Sequence, residues 1–155
     1  MRNLFHSMDI AATGMDAQRF QMDVVSSNIA NANTINQASG EPYRRLFAHF
    51  VADSPSGQAI PVGMTTFEED FTIGSGVRIE GAYADESDDA FRFVYDPTNP
   101  RAEKTGKWKG YVKMPNINII QEMTNLIAAS RAYEANATVI QAAKQMAQKG
   151  ATMGK

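Results

Sequence analysis

The 155-residue chain contains no cysteine, which removes disulfides, thiolate metal sites and the thiol nucleophile together. A chain without cysteine also crosses an oxidising compartment with no risk of mispairing. Histidine is scarce as well. His6 and His49 are the only two, and neither has a Glu or Cys at ligand spacing, so both read as surface or packing residues unless the fold supplies a partner. The sequence has no Gly-rich phosphate loop, nucleophile elbow or HExxH motif. Paired carboxylates such as Glu68-Glu69 are common in any acidic chain and do not single out a hydrolase. The run Asp85 to Asp89 lacks the Asp-x-Asp-x-Asp-Gly spacing and distal Glu of a calcium loop, and reads as a solvated turn. A formal charge of -2 gives no basic footprint for nucleic acid. No stretch approaches the ~18 apolar residues of a membrane span. The first residues contain Arg2, His6 and Asp9 and lack the roughly 7–15-residue apolar run of a cleavable signal peptide. These absences point away from cofactor, metal, nucleic acid and membrane insertion, and on their own suggest a cytoplasmic chain.

What is present lies mainly at the two ends. Met1, Met8, Met15, Met22 and Ile29 form one row at heptad spacing, and Leu4, Ala11, Gln18, Val25 and Ala32 form the other. Nine of these ten are apolar, which predicts a helix with a seam for another helix. The methionines in it could also serve a promiscuous binding face, but a packing seam is the simpler reading. The helix is expected from about Leu4 to Asn31. Its propensity is poor, with Gly14 inside it and weak formers from Asp23 to Asn28. It therefore depends on burying its stripe, and Asn31 to Thr34 can close it in left-handed geometry. A second seam follows the same alternation through Ile119, Met123, Leu126, Ser130, Tyr133, Ala137, Ile140, Lys144 and Ala147. Asn118 with Gln121 supplies a capping-box variant at its start. Its many alanines allow close neighbours, and Ile120 and Ile127 widen its apolar face.

Between the ends, strands are expected over Tyr43 to Val51, Val77 to Tyr83 and Ala90 to Tyr95. Asp53 to Gly57 reads as a loop, Gly74-Ser75-Gly76 as a hairpin and Tyr95 to Pro100 as irregular. Arg101 to Gly110 is polar and holds the single tryptophan, Trp108, with no evident burial. The predicted fold is α+β: long N- and C-terminal helices pack as a coiled-coil-like pair around a small β-rich middle. The segments are 1–36, 37–115 and 116–155.

Gly14 to Gln18 and Met22 to Thr34 resemble the N-terminal signature of bacterial flagellar axial proteins, with Asn28, Asn31 and Asn33 in its core. Pro42-Tyr43-Arg44-Arg45, Gly76-Val77-Arg78-Ile79, Tyr95-Asp96-Pro97-Thr98-Asn99-Pro100 and Gly110 to Asn118 narrow the resemblance to the basal-body proximal rod family, FlgC. Glu122-Met123 and Ala129 to Asn136, which contains Arg131, complete it. Lys104 to Lys109 looks like an insertion where that family turns tightly, and the tail from Gly150 is less apolar than is usual.

The resemblance implies a structural subunit with no cofactor and no catalysis. It implies export without a cleaved signal peptide, and polymerisation with copies of itself and other rod proteins into a helical tube that carries torque across the periplasm. Basal-body ring and export-apparatus proteins are further candidate partners. The expected assembly seams are Leu4, Met8, Ala11, Met15, Met22, Val25, Ile29 and Ala32, and Ile119, Met123, Leu126, Tyr133, Ala137, Ile140 and Ala147. The alternatives are a distal-rod or adaptor relative, a rod-associated peptidoglycan hydrolase and a secreted coiled-coil binding module.

Overall fold

The computed structural model describes residues 2–35, 41–53 and 76–153. Helix α1 (Arg2–Ala30) is followed by strands β1 (Leu46–Asp53) and β2 (Gly76–Ala84), a 3-10 turn (Asp88–Ala90), β3 (Phe91–Tyr95), β4 (Tyr111–Pro115) and helix α2 (Ile119–Met153). β1 pairs with β2, and β3 pairs with β4. The second pair is antiparallel, with Phe91 opposite Pro115 and Tyr95 opposite Tyr111. This is the expected α+β arrangement, a helix at each end packed with a small β-rich middle. No helix among the described residues is long and apolar enough to cross a membrane.

The helix ends differ from expectation in two respects. No described non-glycine residue has positive φ, so Asn31 to Thr34 do not close α1 through left-handed geometry. Instead Asn31 Nδ2 and its backbone N–H both donate to the Ser27 carbonyl, at 2.9 and 3.0 Å, which satisfies one of the carbonyls a helix end leaves free. At the start of α2, Asn118 Oδ1 accepts from the N–H groups of Ile120 (3.0 Å) and Gln121 (3.4 Å). Gln121 does not complete the box, because its side-chain amide turns to Asn125 Oδ1 at 3.4 Å.

The chain forms two compact units. One comprises Met1–Gln21, His49–Gly81 and Ala128–Lys155. Its buried residues are small: Ala11, Ala17, Ala129 and Ala143. Side chains this small let helices approach closely, and a Cβ placed on Gly14 would lie 2.8 Å from Asn136 Nδ2. Thr13 Oγ1 donates to the Ile10 carbonyl (2.8 Å) and accepts from Val77 N–H (3.2 Å). It thereby ties α1 to the start of β2, beside Gly76 with its φ of 118°. The expected Asp53 to Gly57 loop and the Gly74-Ser75 turn lie largely outside the described residues.

The other unit comprises Met22–Ala48 and Ala82–Ile127. Ala32, Tyr43 and Ile117 form its apolar centre, with Leu46 packed against them. Val24, Val25, Ala90 and Val112 are also buried there. β1 starts at Leu46, later than the expected Tyr43, because Tyr43 and Arg45 serve side-chain contacts described below. β4 was not foreseen from the sequence. It gives Trp108 a place, with its ring stacked on Phe93 at 4.3 Å and 8° and edge-on to Tyr111 at 5.6 Å.

Candidate functional site

The deepest row of α2 is Glu122, Ala129 and Ala143, with Asn136 in the same heptad register against Gly14. Each of these residues directly precedes one of Met123, Ser130, Ala137 and Lys144, the row that apolarity picks out. Helix α1 shows the same offset: Gly14 and Asn28 face inward one residue before Met15 and Ile29. The other expected row is buried at Ala11 and Val25 of α1 and at Ala32 just beyond it. Its α2 counterparts Leu126, Tyr133, Ile140 and Ala147 are half-buried, as is Ala137. Met8, Met15, Met22 and Ile29 are half-buried flanks, and nothing is described of the Leu4 side chain. Ile119 is 41%, Ile120 77%, Met123 53% and Ile127 59% exposed, so the first turns of α2 present a continuous apolar stripe to solvent.

At the inward row of the second unit sits a buried polar hub. Asn28 is 1% exposed and Glu122 1% exposed. Asn28 Nδ2 donates to the Leu46 carbonyl (2.9 Å) and to Glu122 Oε2 (3.1 Å). Its Oδ1 accepts from Leu46 N–H (2.8 Å) and from the Tyr43 hydroxyl (3.0 Å). The amide therefore makes all four hydrogen bonds open to it. It also pairs with Leu46 as a neighbouring strand would, through both N–H and C=O. Arg45 Nε donates to Glu122 Oε1 at 2.9 Å and its Nη2 reaches the same oxygen, while the guanidinium lies over Phe47. Ser27 Oγ completes the hub at 3.2 Å from the Tyr43 hydroxyl. Among the described residues no buried side-chain polar atom lacks a partner.

Several motif residues converge on this hub and others do not. Asn28, Tyr43 and Arg45 build it, and Pro42 is buried beside it in sequence. Arg44 donates to the Asp85 carbonyl (3.0 Å) and covers the Phe91 ring. Asn31 closes α1, and Asn136 meets Gly14. Tyr95 meets Tyr111 edge-on, Asp96 and Pro97 open the β3–β4 loop, and Asn33 and Arg131 are exposed. Glu122 belongs to a family motif, but the sequence carries no signal of its burial, since Glu134 on the same helix is exposed. His49 gains a partner through the fold, since its Nδ1 lies 2.6 Å from Glu80 Oε2 in an exposed pair.

Two half-buried carboxyls lie by the β3–β4 hairpin, Asp85 before it and Asp96 in its loop. Hydrogen bonds from Ser87 hold Asp85 below its ordinary range, and Ser87 N–H donates to Asp85 Oδ1 at 2.9 Å. The Thr98 hydroxyl does the same for Asp96, donating at 2.7 Å. Stabilising the charged form is what lowers each value.

The hub joins the Asn28 signature, the Pro42 to Arg45 motif and the start of α2 in one unit, and known proteins match those same regions. A family model described as "Flagella basal body rod protein" matches residues 8–36. Another, described as "Flagellar basal body rod FlgEFG protein C-terminal", matches residues 109–153. The flagellar basal-body rod protein FlgC of Borreliella burgdorferi is 44% identical over 148 residues, covering 92% of each chain. The chain belongs to the FlgC family of flagellar basal-body rod proteins. The Bacillus subtilis FlgC protein is 39% identical and the Salmonella typhimurium one 36%, each over 97% of this chain and 98% of the relative. The FlgC likeness thus extends beyond the two matched ends through the β-rich middle and the hub.

Proposed function

We propose that this chain is a structural subunit of the flagellar rod, resident in the basal body, which assembles with other rod proteins and with copies of itself. The reading rests on likeness, over nearly the full length of both partners, to proteins named as flagellar basal-body rod protein FlgC. The seams lend physical support. Ile119, Ile120, Met123 and Ile127 face solvent, and each such side chain contributes roughly 1.5–3 kcal/mol when fully buried. Helices of neighbouring rod subunits are the natural cover, with the half-buried flank of Met8, Met15, Met22 and Ile29 as the second contact face. Heterologous contacts of this kind propagate into an open helical tube. The hub holds α1, the segment before β1 and α2 in fixed register, as a rigid coupling requires. In this reading the rod spans the periplasm and transmits torque, the subunit is exported without a cleaved signal peptide, and no reaction is catalysed. Ring and export-apparatus proteins are its further contacts.

The test is a pair of aspartates on the exposed stripe, Ile120→Asp and Ile127→Asp together. Both positions face solvent, so the chain should fold and be exported at wild-type levels. Cells should nevertheless lose motility and hold incomplete rods, because an unpaired charge resists burial between helices. Normal swimming with complete rods would remove this face from assembly.

A further inference from the structure

The β3–β4 hairpin has an excess of acidic groups at its base, where Arg44 and Lys113 lie over the Phe91 ring, and of basic groups at its tip. Its base, beside the Phe91–Pro115 pair, adjoins the acidic turn with Asp85, Glu86 and Asp89, where Asn116 Nδ2 donates to the Asp89 carbonyl at 2.9 Å. Its tip lies past the Tyr95–Tyr111 pair and carries Arg101, Lys104, Lys107 and Lys109, all exposed, against two carboxylates, Asp96 where the loop opens and Glu103 among the cations. Four residue steps separate the two pairs, which is about 14 Å of strand. That exceeds the Debye length of about 8 Å at physiological salt, so tip and base of one chain do not neutralise each other. The ion pairs among the described residues are Arg45–Glu122 and His49–Glu80, so the four tip cations have no carboxylate partner there, and Lys107 Nζ lies 5.6 Å from the Trp108 ring centroid.

The tip is also built to hold its shape without a core beneath it. Asp96 N–H donates to the Gly110 carbonyl (2.9 Å), Gly110 N–H to Glu103 (2.9 Å), and Glu103 N–H to Tyr111 (3.0 Å). Gly106 and Gly110 supply positive φ of 92° and 82°, and Trp108 stacks on Phe93 while remaining 39% exposed. A rigid, cationic, aromatic loop on a chain of net charge -2 is preorganised for an acidic partner. We propose that the tip, Arg101 to Lys109, docks on the acidic base, Asp85 to Asp89, of a second copy of this chain. The match is heterologous, tip to base, so it leaves a free tip and a free base at the ends of any pair. The contact rests on the rod reading, since it orders copies within one rod.

A photoreactive benzophenone residue in place of Lys107 tests this in basal bodies purified after illumination. Co-purification of the chain with other rod proteins reads the rod assignment separately from the contact. The expected product has twice the chain's mass, and its cross-linked peptide contains Asp85 to Asp89. A product with another protein or with wall glycan, or no product from a chain that is present in the rod, overturns the second-copy contact and leaves the rod reading standing. Absence of the chain from basal bodies overturns both. Charge reversal provides an independent check. Lys104→Glu with Lys107→Glu, or Glu86→Lys with Asp89→Lys, should each lower the yield of cross-linked pairs at least tenfold, read with the label at Trp108. The fourfold variant, complementary to itself again, should restore it. Equal yields in all four chains would refute the electrostatic match.

Discussion

Asn28 offers the sharpest test of the buried hub, because its two ends are not interchangeable. Asn28→Ala removes four hydrogen bonds, to Leu46 N–H, the Leu46 carbonyl, the Tyr43 hydroxyl and Glu122. At about 0.5–1.5 kcal/mol each, the loss is roughly 2–5 kcal/mol, a large share of the roughly 5–15 kcal/mol that holds an ordinary domain together. Asn28→Asp keeps nearly the same shape and retains the oxygen that accepts from Leu46 N–H and Tyr43. Its other oxygen, however, replaces Nδ2 at 2.9 Å from the Leu46 carbonyl and 3.1 Å from Glu122 Oε2. Acceptor then faces acceptor twice, once with like charges in a buried site. The aspartate should therefore be less stable than the alanine by a further 1–3 kcal/mol or so at pH 7. Urea unfolding followed by helix circular dichroism measures the difference. An aspartate variant as stable as the alanine variant at pH 7 would refute the claim that Glu122 accepts a hydrogen bond from the Asn28 amide.

Other expectations concern single sites. Gly76→Ala should cost about 1–3 kcal/mol, since φ of 118° is open chiefly to glycine and a Cβ there would collide with Thr13 Oγ1; thermal unfolding reads the loss. Trp108→Ala removes two aromatic contacts worth about 0.5–1.5 kcal/mol each, so it should loosen the β3–β4 loop, measured by amide exchange at Tyr111, while leaving the helices intact. Asp85 and Asp96 both sit below the ordinary value of 3.8 in the folded chain. Their lowered values add stability that is whole above the unfolded-state value and fades as pH falls through the folded one. Asp96→Asn should therefore flatten the dependence of stability on pH below 3.8 and leave it unchanged near neutrality; acid titration of the unfolding midpoint decides. Val25→Asp, at a site 2% exposed, should unfold the single chain, whereas Ile120→Asp should not, and circular dichroism of the two proteins separates fold from assembly.

The terminal helices and three of the four strands were legible because period and turn chemistry agree along those stretches. The buried row of α2 lies one residue before the apolar one, and in α1 Asn28 lies deeper than Ile29, while Ala11 and Val25 of the expected row are buried. Counting apolar side chains favours Ile29 and Met123, whereas the deeper positions are occupied by Asn28 and Glu122. A buried amide and carboxylate are tolerated only because their partners arrive from elsewhere in the chain, and one helix's periodicity carries no trace of Tyr43, Arg45 or Leu46. β4 escaped notice because its five residues end in proline and pair only with a strand across a long polar loop. Trp108 seemed unplaced for the same reason, since Phe93 lies on that partner strand. The family resemblance drew on the same residues and so pointed to Asn28, Tyr43 and Arg45 before any geometry explained them.

Quantitative mass spectrometry of detergent-stripped flagellar basal bodies from the source cells tests the central claim most directly. The account predicts this chain there in a fixed, small-integer proportion to other rod proteins, unchanged by high-salt washing. Basal bodies with complete rods that lack the chain, or hold it at amounts varying from one preparation to the next, would contradict it.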